Sequence, residues 1–76
     1  MVYAYLNDCD SDGLVRLNSV GTIEDLARQG VVLSEGLRLC ISDGDLRAEI
    51  VVRRPGSEGI WRGEIVDGPH DCDEGS

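Results

Sequence analysis

The stretch from residue 36 to 54, "GLRLCISDGDLRAEIVVRR", constrains this chain more than any other feature. Apolar and polar residues alternate on both sides of Asp43-Gly44, a dipeptide that favours a two-residue hairpin loop. With that loop, Ser42 faces Asp45, Ile41 faces Leu46, Leu39 faces Ala48 and Leu37 faces Ile50. Directly opposed residues share one face of a sheet, so the last three pairs build an apolar face. The other face pairs Cys40 with Arg47 and Arg38 with Glu49. A slip of one residue would turn all these aliphatics to water.

The alternation continues. "RRPGSEG" is a loop, and "IWRGEIV", residues 60 to 66, returns as a third strand. With Val52 opposite Trp61, Ile50 faces Gly63 and Ala48 faces Ile65; Gly63 leaves room for a bend or a close approach. Glu49 then meets Glu64, a like-charge pair within reach of Arg38, Arg47 and Arg62. The central aliphatics Leu37, Leu39, Ile41, Leu46, Ile50 and Val52 each contribute about 1.5–3 kcal/mol when fully buried. That sum does not offset the ordering entropy of the chain, so the first half must cover this face.

In the first half, "VYAYLN" and "LVRLN" alternate like strands and read as a hairpin joined through Asp12-Gly13. Thr22 is the expected N-cap, with Asp25 three residues on; Ile23, Leu26 and Ala27 form the expected buried stripe, and Gly30 ends the helix. With no Phe, the aromatic part of the core falls to Trp61 and one or both of Tyr3 and Tyr5. The expected fold is mainly β (α+β). It is a small barrel-like antiparallel sheet of about five strands, near 2–7, 14–18, 37–42, 45–53 and 60–66, with one short helix near 23–29. Residues 1–67 form one small domain, and 68–76 an acidic flexible tail.

The segment "GLRLCISDGDLRAEIVVRRPGSEGIWRGEIV" resembles the second half of small uncharacterised bacterial single-domain proteins of β-meander or small-barrel fold. In these, "EG" opens a strand, a short acidic turn follows and a "W" strand closes. The resemblance covers about half the chain and implies a fold but no activity.

The chain carries 15 acidic and 7 basic residues, all of the latter Arg, for a net charge of −8. That field repels phosphates, so nucleic acid is not an expected partner; a protein with a basic surface is. No apolar run approaches the roughly 20 residues that span a bilayer. The N-terminus lacks the basic and apolar regions of a signal peptide, so the chain reads as cytoplasmic, a monomer or homodimer. Cys9, Cys40 and Cys72 are odd in number and unpaired by spacing, as free thiols in a reducing compartment are.

The opening run "NDCDSDG" raises a calcium reading. Asp8, Asp10, Asp12 and Gly13 match the first half of an EF-hand loop, but Ser19 stands where a bidentate Glu is needed and Arg16 brings a cation. The flanks alternate like strands, so the hairpin turn is the expected role and weak calcium binding an alternative. His70 and Cys72, with Asp71 and Asp73, are too few soft ligands for a structural zinc site. Arg53 and Arg54 at a hairpin tip, with Arg62, are the candidate partner-binding residues; paired arginines grip carboxylates or phosphates, or else neutralise the chain's own acids. No nucleophile–base set can be assembled, and no cofactor motif is present. The expected role is a non-enzymatic acidic protein-interaction module. The alternatives are an acidic nucleic-acid mimic that inhibits a basic protein, and the weak calcium domain.

Overall fold

The computed structural model describes residues 1–71. In chain order it comprises β1 (Val2–Tyr3), β2 (Val15–Arg16), α1 (Val20–Gln29), β3 (Arg38–Ser42), β4 (Leu46–Arg53) and β5 (Arg62–Asp71). The strands form one mixed sheet of order β1-β3-β4-β5-β2, curled into a half-barrel, with the single helix against it. No helix among the described residues is long and apolar enough to cross a membrane.

The hairpin forms at the expected place with a different register. Ile41 pairs with Ala48, Leu39 with Ile50, Cys40 with Glu49 and Ser42 with Arg47. The loop residues are Gly44 and Asp45, one step later than the expected Asp43-Gly44. Asp43 acts as the anchor: its N–H donates to Leu46 O at 3.1 Å, and its Oδ1 accepts from the N–H of Asp45 and Leu46 at 2.9 and 2.8 Å. Gly44, with φ of 104°, then takes the first loop position, where a two-residue hairpin of type II′ places glycine. The net slip is two residues, a full side-chain period. The buried face therefore survives while every partner changes. Arg38 still reaches Glu49, diagonally, at 3.2 Å.

β5 is displaced in the same way. Val52 pairs with Gly63 instead of Trp61, and Ile50 pairs with Ile65. A Cβ on Gly63 would clash with Ile50 Cδ1, so the space Gly63 leaves is filled by that side chain. Trp61 precedes the strand, half-buried against the core, and its carbonyl accepts from Leu17 N–H at 2.9 Å. The expected Glu49–Glu64 opposition does not arise; Glu64 faces Val51. Two register shifts carry β5 past its expected end at 66, so that Arg47 pairs with His70 and Leu46 with Asp71. Residues 68–71 of the expected tail thus lie in the sheet, and 72–76 lie outside the described residues.

The N-terminal hairpin is the main correction. β1 runs parallel to β3, Val2 beside Ile41 and Tyr3 beside Ser42, whereas β2 runs antiparallel to β5 at the opposite edge. Only a small turn closes locally, through one bridge between Cys9 and Val15. Alternation in "VYAYLN" defines a buried face without naming the neighbour, and α1 lies in the long connection that a parallel pair requires.

The cap of α1 lies three residues before the expected Thr22. Ser19 is the N-cap: its Oγ accepts from Thr22 N–H at 3.2 Å and lies 2.6 Å from Thr22 Oγ1. Gly21 admits the Tyr3 ring, since a Cβ there would sit 2.8 Å from Tyr3 Cδ1. Asp25 Oδ2 accepts from Tyr3 N–H at 2.8 Å, tying the helix to β1. This docking buries Thr22 and Leu26 and leaves Ile23 and Ala27 exposed, contrary to the expected stripe. Gly30 is the left-handed stop as expected, and Val31 N–H reaches back to Leu26 O at 2.9 Å.

Ile41, Ala48, Ile50 and Val52 are buried on the sheet, covered by Val2, Ala4, Leu6, Val15, Leu17 and Leu26 of the first half. Leu37, Leu39 and Leu46 are half-buried at its margin. Tyr3 and Tyr5 meet edge to face at 5.2 Å outside this core, with Tyr5 half exposed.

Candidate functional site

The acidic opening run folds as a turn held by its own backbone. Asp10 N–H donates to Leu14 O at 2.9 Å, and Asp10 Oδ1 accepts from the N–H of Asp12 and Leu14 at 2.9 and 3.0 Å. The carboxylates of the candidate calcium ligands are taken up by arginines. Asp8 meets Arg16 at 2.8 Å, while Asp10 and Asp12 both meet Arg62 Nη1, at 3.2 and 3.0 Å. Burial opposes ionisation of Asp10, but the Leu14 N–H, Arg62 and the Asp12 N–H together hold its carboxyl below the ordinary value.

These pairs clamp the turn to the β4–β5 loop, residues 54–61. Arg16 also grips Glu58 through two bonds, at 2.9 and 3.0 Å, and this bidentate contact lowers the Glu58 pKa. Arg62 adds bonds from Nη2 and Nε to Arg54 O, at 2.9 and 3.3 Å. The space between the two loops is about 60 Å³, far below the roughly 300–1,000 Å³ of a small-molecule pocket.

The candidate partner-binding arginines do not converge on an open anion site. Arg53 Nε donates to Glu64 at 3.0 Å, Arg54 Nη2 to Glu35 at 2.6 Å, and Arg62 serves the clamp. The Arg54 bond is the leading cause of a lowered Glu35 pKa. Their geometry is that of arginines neutralising the chain's own acids. Arg16, Glu58 and Glu35 were not expected in these roles. The sequence signal was the cation at Arg16 beside the acidic run; nothing in it joins Arg16 to Glu58, which lies 42 positions away.

On the solvent face of the sheet, a shallow cleft of about 190 Å³ is lined in part by Cys40, Arg47, Glu49, Asp67 and His70. Among the described residues, Arg47 is the arginine with no carboxylate partner. His70 Nε2 lies 3.2 Å from Asp67. Cys9 and Cys40 are exposed thiols, the former 3.6 Å from Leu6 O. No group of three or more metal-ligating side chains assembles among the described residues, and Cys72 and Asp73 lie outside them.

The sheet edges remain. β2 covers only Arg62 and Gly63 of β5, and β1 covers only Ile41 and Ser42 of β3. The rest of each outer strand presents backbone groups with no neighbouring strand among the described residues. No family model, curated protein or solved structure matches the chain.

Proposed function

We propose that this chain is a small, non-enzymatic acidic interaction module that takes a protein partner with a basic surface along an open sheet edge. The observation that carries this reading is the commitment of Arg53, Arg54 and Arg62 to internal carboxylates, while most of the β5 outer edge has no strand beside it. The small concavities and the absence of a nucleophile–base pair among the described residues support the same reading. Its compartment is the cytoplasm, on the ground of the unpaired thiols Cys9 and Cys40.

Affinity capture from a cell lysate tests it, with a fold-disrupted variant, Ile50→Asp, as the control. A specific protein retained by the native chain and lost with the control is the expected result; identical captures from both reject the module. The nucleic-acid-mimic reading draws on Asp43, Asp45 and Asp71, acids at the other end of the sheet with no arginine within ion-pair distance among the described residues. It is favoured if the captured protein is a nucleic-acid binder whose DNA or RNA competes for the same site.

A further inference from the structure

Resting on the interaction-module reading, we infer which edge is used and what chemistry it selects. The outer edge of β5 at Glu64–Asp67 receives a cationic extended segment as an added strand. One apolar residue of that segment lies against Ile65, between two basic residues beside Glu64 and Asp67.

The choice of edge follows from the pairing. β5 is 10 residues long, and β2 occupies only Arg62 and Gly63. At about 3.3 Å per residue, the segment from Glu64 to Asp67 offers an edge of roughly 13 Å. The opposite edge is shorter, since β1 leaves only Arg38–Cys40 of β3 uncovered, and Arg38 puts a cation there.

The chemistry follows from what stands along that edge. Glu64 faces Val51 and Asp67 faces Glu49, so both acids lie on the solvent side of the sheet; Ile65 faces Ile50 on the core side. Val66 is the extra residue of a bulge, and an added strand that passes it as β4 does places basic, apolar and basic residues in turn beside Glu64, Ile65 and Asp67. Val66, 46% exposed, gives the segment a further apolar contact. Glu64 already meets Arg53, but through Oε1 alone. Among the described residues, Asp67 has only His70 within ion-pair distance, with Arg47 farther off in the same cleft, and Asp71 has no cation within that distance.

A second copy of this chain is the wrong occupant. Antiparallel self-pairing of β5 would oppose acid to acid across the new ladder, and like charges in that position are destabilising. Beyond Asp67, a second register shift and Pro69, which has no N–H to donate, further blunt the edge. What the edge rejects by charge is another acidic strand. What it accepts is a basic one.

The test is an amide NMR titration of the full chain with a short blocked peptide alternating Lys and Val, run beside its Glu and Val counterpart. Shifts concentrated at residues 64–67 with the Lys peptide alone are expected. Asp67→Lys should weaken binding about tenfold or more, whereas Asp45→Lys, the same charge change on the exposed β3–β4 turn, should stay within about twofold. Asp67→Asn, which removes the charge without adding one, gives a second reading at the same position should Asp67→Lys fail to fold. Equal weakening by Asp45→Lys, shifts centred on Arg38–Cys40, or no binding of the Lys peptide would each overturn the edge assignment. Lysate capture unchanged by Asp67→Lys would overturn the edge and leave the interaction module standing.

Discussion

Arg62 Nη1 lies 3.2 Å from Asp10 Oδ2, and the two side chains are only 13% and 7% exposed, although 52 positions separate them in the chain. The same guanidinium reaches Asp12 and the Arg54 carbonyl, so one side chain joins the opening turn, the β4–β5 loop and the start of β5. In chemical terms, Arg62 occupies the place a bound cation would take among these carboxylates. Being covalently attached, it holds that place without the entropy cost of capturing an ion.

Arg62→Met should therefore lower the thermal midpoint and raise the Asp10 pKa, because the carboxylate keeps its burial and loses its cation. Arg62→Lys should recover only part of the midpoint, since an ammonium is a point charge and cannot hold two carboxylates and a carbonyl in one plane. A melt of each variant and a carboxyl-carbon NMR titration of Asp10 read both effects. An unchanged midpoint together with an unchanged Asp10 titration would show that the clamp is ornamental.

Acid should loosen this clamp, the Glu35–Arg54 pair and the β3–β4 turn. Asp10 and Asp43 are held below their ordinary 3.8, and Glu35 and Glu58 below their ordinary 4.5. A carboxyl whose folded pKa is depressed binds fewer protons folded than unfolded, so its contribution is complete above the unfolded value. It fades as the pH falls below that value and through the depressed one. Stability should therefore change little through these groups from neutrality down to about pH 5, then fall steadily below about pH 4.5. A denaturation series across that range decides the matter, and stability that rises on acidification from pH 4.5 to 3 would contradict the assignment.

The parts of the fold legible in the sequence were those carried by period. Alternation identified the buried face of β3, β4 and β5 correctly, because a two-residue slip leaves every side chain on its own side. It said nothing of which residue stands opposite which. That was decided by Asp43 bonding forward to Asp45 and Leu46, and by Ile50 filling the space above Gly63. The parallel placement of β1 was not legible either, since a two-residue strand looks the same in any sheet. The ion-pair clamp was half legible. Acids and arginines were both evident, but pairing across 42 and 52 positions is a property of the folded chain alone.

The contact between Gly63 and Ile50 makes a quantitative prediction. Gly63→Ala should cost about 1–3 kcal/mol, because the new Cβ clashes with Ile50 Cδ1 and stands 3.1 Å from Ile50 Cβ. Ile50→Val alone removes the Cδ1 methyl and should cost about 0.5–1.5 kcal/mol. Together the two should cost less than their sum, since the lost methyl relieves the worst clash. Additive costs from denaturant unfolding of the single and double variants would place Gly63 away from Ile50.

The start of α1 separates two caps that the sequence offers. Ser19 is the residue in extended conformation whose Oγ accepts from Thr22 N–H, while Thr22 lies inside the helix with its side chain buried. Ser19→Ala should then cost about 0.5–2 kcal/mol, and Ser19→Asp should restore most of it because a carboxylate accepts the same bond and suits the positive end of the helix. The Thr22 amide should exchange faster with solvent in Ser19→Ala and return to slow exchange in Ser19→Asp. If Thr22 were the cap instead, replacing Ser19 would leave that amide and the stability as they were. Native-state hydrogen exchange on the three proteins distinguishes the two.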